Sequence, residues 1–122
     1  MSKVILLEPN KPARLTEIDL TLETMQSVVG GLILLREKYY PFYEPVALVC
    51  NAEGKRLHLP MNQPLQHDDG YVYNVVRGTA FICGYGKEDF TSVPDQLIKK
   101  YMKMYKIPPV FPTDDTGVFL CI

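Results

Sequence analysis

The strongest constraint on this chain is how its β-forming segments are spaced. Short apolar runs recur at residues 3–7, 32–35, 46–50 and 79–83, and proline or glycine interrupts the chain between them. Only one later stretch carries a long helical pattern. Strands and helices therefore do not alternate as βαβ units. The order predicts an α+β fold with a mainly antiparallel sheet of about six strands, one short helix and one long helix. With 122 residues, 47% hydrophobic and 22% charged, a core is expected, and 1–122 reads as a single domain.

The local signals are specific. Residues 3–7 and 13–18 predict a hairpin, with Leu15 on one side of the second strand and Arg14, Thr16 and Ile18 on the other. Thr21 is a helix cap. Leu22, Met25 and Val29 then fall on one helical face, and Gly30-Gly31 ends the helix. A strand follows at 32–35. Residues 60–70 read as a proline-broken loop, 71–76 and 79–83 as strands, 92–106 as the long helix and 118–122 as a short closing strand. The long helix offers an apolar stripe of Leu97, Tyr101, Met104 and Tyr105 and a basic stripe of Lys99, Lys103 and Lys106. Cations near a helix C-terminus are ordinary dipole chemistry.

Residues 46–59, VALVCNAEGKRLHL, predict a second hairpin. A loop with Gly54 in the left-handed position pairs Asn51 with Lys55, Val49 with Leu57 and Ala47 with Leu59. Ala47, Val49, Leu57 and Leu59 then form the core side. Leu48, Cys50, Arg56 and His58 form the other. A two-residue loop moves Cys50 to the core side but leaves Arg56 and His58 together. In the first register Cys50 and His58 are diagonal neighbours, roughly 7–8 Å apart. That is beyond hydrogen-bond reach, so a nucleophilic Cys–His pair is not expected. Arg56 and His58 suit a phosphate or carboxylate instead.

Composition excludes several classes. Thirteen basic residues against fourteen acidic give a net charge of −1, neither a nucleic-acid binder's surplus nor a DNA mimic's. Nucleic acid is not an expected partner. No apolar run approaches the roughly 18–20 residues that span a bilayer, and the start lacks the pattern of a secretory signal. Three scattered cysteines fit free thiols in a cytoplasmic protein. His67-Asp68-Asp69 before Gly70 is turn chemistry rather than metal spacing, so neither metal nor cofactor is expected. The Gly84-x-Gly86 pair lacks the rest of a phosphate loop, and its glycines are expected to turn the chain away from the sheet. Tyr39, Tyr40, Phe42 and Tyr43 could stack a base beside Arg36, or could seal a core or an oligomer interface.

The string YPF-x-x-PVALVCN-x-EGK, then LP-x-N, DG, RGTAFICG and EDF-x-S, resembles a small domain-of-unknown-function family associated with bacteriophages, plasmids and other mobile elements of Gram-positive bacteria. The resemblance covers nearly the whole chain, and its motifs carry no known chemistry. It implies a home on a mobile element, in the host bacterial cytoplasm, and an anti-defence role. The expectation is a non-enzymatic, homo-oligomeric protein that sequesters a nucleotide-derived immune signal. Tyr39, Tyr40, Phe42 and Tyr43 would stack. Arg36, Arg56, His58 and Arg77 would hold phosphate or ribose, and Asn51 and Asn62 would read polar edges. The alternatives are an inhibitor that binds a host nuclease or restriction enzyme, and a small phosphodiesterase using His58, His67, Asp68 or Asp69.

Overall fold

The computed structural model describes residues 1–37, 41–87 and 89–111. Tyr39, Tyr40, Glu88, Cys121 and the strand expected at 118–122 lie outside them. In chain order the elements are β1 (Ser2–Leu7), β2 (Arg14–Ile18), α1 (Leu22–Val29), β3 (Ile33–Arg36), β4 (Val46–Asn51), β5 (Met61–Gln66), β6 (Val72–Arg77), β7 (Ala80–Gly86), β8 (Asp89–Thr91) and α2 (Asp95–Met104). The fold is α+β. A six-stranded sheet runs β2-β1-β7-β4-β3, with β8 added on β7, and β5-β6 form a separate two-stranded sheet. Every pairing is antiparallel.

The main sheet is covered on both faces, which explains why β1, β4 and β7 are continuous apolar runs. Val4, Leu6, Val49, Phe81 and Cys83 meet Met25 and Val29 of α1. Ile5, Leu7, Leu48, Cys50, Ala80 and Ile82 meet Phe42, Leu65, Val76 and Tyr101, from the α2 side. All of β4 is buried. The expectation of one core side and one less apolar side for β4 therefore fails: a strand between two layers has no polar face.

α1 begins and ends as expected. Thr21 Oγ1 accepts from Thr24 N–H at 3.2 Å, and Gly30, at φ +82°, donates to Gln26 O. Leu22, however, is exposed, and only Met25 and Val29 of the expected face are buried. α2 starts later than 92. Ser92 Oγ accepts from Lys3 N–H and Val93 N–H donates to Lys3 O, so these residues continue the edge of the sheet before Pro94 turns into the helix. Lys99, Lys103 and Lys106 are exposed.

The expected hairpin through 46–59 does not form. β4 pairs with β3 and β7 on its two edges, so 55–59 have no edge left to join. Instead Asn51 Oδ1 accepts from Glu53 N–H at 2.7 Å, and Leu57 N–H donates to Glu53 O at 2.9 Å, a single helical turn. His58, not Gly54, holds the left-handed position, at φ +53°. Gly54 serves close approach: a Cβ there would lie 2.7 Å from Arg77 O. Leu57 is exposed rather than core.

A hairpin does form further on, where a loop was expected. β5 tolerates Pro64 because a two-stranded sheet leaves it a free edge. The loop Asp68-Asp69-Gly70 closes it. Gly70 N–H donates to His67 O and His67 N–H to Tyr71 O, both at 2.9 Å, with Gly70 at φ +91°. The loop type expected at Gly54 thus occurs at Gly70.

Candidate functional site

The tip of the β5–β6 hairpin and the end of β3 border one cleft of about 620 Å³, lined by Arg36, Tyr43, Gln66, His67, Asp68, Asp69 and Tyr73. That volume suits a small-molecule site. Each wall has a local cause. β3 places Arg36 at the edge of the main sheet, where it pairs in register with Leu48. The tight hairpin loop brings His67 back against Tyr71, just before β6, and Tyr73 within it, two residues apart and so on one side of the extended chain. The His67 ring stacks on both, at centroid distances of 5.8 and 4.6 Å. The Tyr43 hydroxyl donates to Asp68 Oδ1 and joins the segment before β4 to the hairpin tip. Asp69 Oδ1 accepts from Tyr71 N–H at 2.9 Å, which fixes the loop. Arg36 Nε is buried and has no hydrogen-bond partner among the described residues.

The ten residues expected to bind divide clearly. Arg36 and Tyr43 line this cleft, and Tyr43 is 61% exposed. Phe42 is 2% exposed and packs on Tyr101 with ring centroids 6.0 Å apart, so it seals the core and presents no face to a ligand. Asn51 is buried, and its Nδ2 donates to Val29 O at 3.1 Å, fastening the end of α1 to β4. Asn62 sits at a bulge in β5, which turns its side chain inward. Its Nδ2 bridges Leu7 O (2.8 Å) and Gly78 O (2.7 Å), and its Oδ1 is buried without a partner among the described residues. Neither amide is open to read a ligand's edge.

Arg56 is exposed and pairs with Glu53 three residues away. His58 is exposed in the same turn. Arg77 Nη1 donates to Leu59 O at 3.2 Å, holding that turn to β6. Arg56, His58 and Arg77 do not line the cleft. Tyr39 and Tyr40 lie outside the described residues. Sequence reasoning missed Gln66 and Tyr73, and it named His67, Asp68 and Asp69 only for the phosphodiesterase alternative, reading them otherwise as turn residues. The available signal was the Tyr71-x-Tyr73 alternation, which shares a face with whatever the turn returns to it.

Neither thiol among the described residues is placed for catalysis. Cys50 Sγ donates to Leu34 O at 3.6 Å, and burial pushes its pKa up, with only partial opposition from Arg36. Burial pushes the Cys83 thiol up to about 12. In a Cys121→Ser background, native protein at neutral pH should react with a thiol reagent only as fast as it unfolds, and denaturant should release both thiols. Immediate labelling of Cys50 in the native state would contradict its burial. Among the described residues, no group of three or more His, Cys, Asp or Glu side chains could hold a metal ion. Nor is any helix among them long and apolar enough to cross a membrane.

Residues 1–106 match the model of a domain of unknown function, DUF3846, and the chain belongs to that family. The chain matches no curated protein and no solved structure.

Proposed function

We propose that this protein is a non-enzymatic binding protein that sequesters a nucleotide-derived immune signal. In this reading it is a homo-oligomer made by a phage or other mobile element and acts in the host bacterial cytoplasm. The observation that carries the reading is the meeting of a guanidinium with aromatic faces in one cleft: Arg36 with Tyr43, His67 and Tyr73. Aromatic rings hold a base by stacking, and a guanidinium holds a phosphate by paired charge-assisted hydrogen bonds. The site differs from the expected one. It uses the hairpin tip in place of Phe42, Asn51, Arg56, His58, Asn62 and Arg77.

The same lining favours one other reading. His67, Asp68 and Asp69 are proton-transfer residues at the cleft, as a small phosphodiesterase on the same signals would need. One experiment separates the two. The full chain is incubated with lysate from cells whose nucleotide-signalling defence is active, repurified and heated, and the released small molecules are weighed by mass spectrometry. Sequestration predicts intact nucleotide released in proportion to wild-type protein and at least about tenfold less from Arg36→Ala, a charged contact of the kind worth about 1.5–3 kcal/mol. Cleaved nucleotide would support the enzyme. An untouched and unbound pool would overturn both and point to a host protein as the target.

A further inference from the structure

The cleft's polar groups are unequal in kind, and this restricts what can occupy it. When ionised, Asp68 and Asp69 can only accept hydrogen bonds. Each already uses one oxygen: Asp68 Oδ1 for the Tyr43 hydroxyl and Asp69 Oδ1 for the Tyr71 amide. The other oxygen of each has no hydrogen-bond partner among the described residues. A ligand edge laid against these carboxylates must donate. The lining also carries two carboxylates against one guanidinium. Repulsion from the two carboxylates grows with every phosphate added, so a single phosphate held on Arg36 is the least disfavoured.

The four common bases differ on this point. Guanine presents two adjacent donors, its N1–H and its exocyclic amine, which suit a carboxylate. Adenine and cytosine set an acceptor nitrogen beside their amine, and uracil flanks its one N–H with two carbonyls. Each of these three would push a lone pair against the carboxylate, at a cost like that of any unmatched polar contact. Asp68 is the better placed of the two acids. Its carboxylate is tied to Tyr43, whose ring lines the same cleft, while Asp69 is tied back to its own loop.

We infer that the ligand is a guanine nucleotide carrying one phosphate per base, with Asp68 reading the guanine edge, Tyr43 and Tyr73 holding the ring and Arg36 the phosphate. This inference rests on the nucleotide-binding reading above. The cleft of about 620 Å³ has room for a nucleoside monophosphate.

The test is calorimetric titration of the full chain with GMP, dGMP and AMP, repeated on Asp68→Asn. That variant keeps an oxygen for the Tyr43 hydroxyl and exchanges the other for a donor; circular dichroism checks that it folds. The expected result is GMP and dGMP alike, both at least about tenfold tighter than AMP, and a preference reduced to about threefold or less in Asp68→Asn. AMP binding as tightly as GMP would overturn the guanine assignment and leave the nucleotide reading standing. So would an unchanged preference in Asp68→Asn. A strong loss with dGMP would also overturn it, because the carboxylates would then be reading the ribose diol. Binding of none of the three, alongside recovery of a different intact nucleotide from lysate, would sink this inference alone. Binding of none and recovery of none would sink both.

Discussion

Tyr101→Ala should destabilise the fold by about 3–5 kcal/mol, the usual cost of truncating a large buried aromatic. Tyr101 is fully buried on α2 and its ring packs on Phe42. Its hydroxyl donates to Glu44, which also pairs with Lys100. One side chain thus joins α2, the segment leading into β4 and the core beneath the sheet. Tyr101→Phe separates the two contributions. It keeps the ring and should cost about 1.5–3 kcal/mol, the range for a hydrogen bond to a charged group.

That smaller cost should depend on pH in a defined direction. Lys100 first and the Tyr101 hydroxyl second hold the Glu44 carboxyl below its ordinary value. A depressed carboxyl contributes stability above its unfolded pKa and loses it as pH falls through the folded one. The gap between wild type and Tyr101→Phe in urea unfolding should therefore be full near pH 7 and shrink on acidification below about pH 4. A gap that widens on acidification would contradict the Glu44 contact.

Gly84→Ala should be the second severe change, and for a different reason. A Cβ at Gly84 would lie 2.2 Å from Ser92 O and 2.3 Å from Thr91 Oγ1. The first of these is backbone and cannot swing aside. β8 crosses this position because Gly84 pairs with Thr91 on one edge while pairing with Val46 on the other. Overpacking of this kind costs about 1–3 kcal/mol or more. Gly86→Ala is the matched comparison. A Cβ there would lie 4.0 Å from Pro45 Cβ, so the variant should stay within about 0.5 kcal/mol of wild type. Chemical denaturation of both variants checks the pair. Equal losses would mean that the two glycines act together, as a loop would require. The structure instead has β7 running through both of them.

The elements that were legible in the sequence are those whose signals are local. Branched apolar runs marked β1, β3, β4 and β7, and Thr21 with Gly30 marked both ends of α1. The failures share a non-local cause. Nothing near Glu53-Gly54 announces that both edges of β4 are already taken, or that Gly54 lies against the backbone of Arg77. Pro64 argues against a strand until β5 is known to have a free edge. The cleft was half legible. Arg36 and Tyr43 stood out by residue type, but their partners come from a turn some 25 residues further along, joined through the Tyr43–Asp68 bond. Asn51 and Asn62 looked like polar readers because the backbone groups they satisfy, at Val29, Leu7 and Gly78, are distant in sequence.

The most direct test of the central claim is a titration of ¹⁵N-labelled protein with a nucleoside monophosphate, followed by two-dimensional amide NMR. The cleft predicts saturable shifts concentrated at Arg36, Tyr43 and residues 66–73, with the turn at Arg56 and His58 unmoved. Shifts centred on that turn or on the lysines of α2, or no saturable shifts at all, would contradict it.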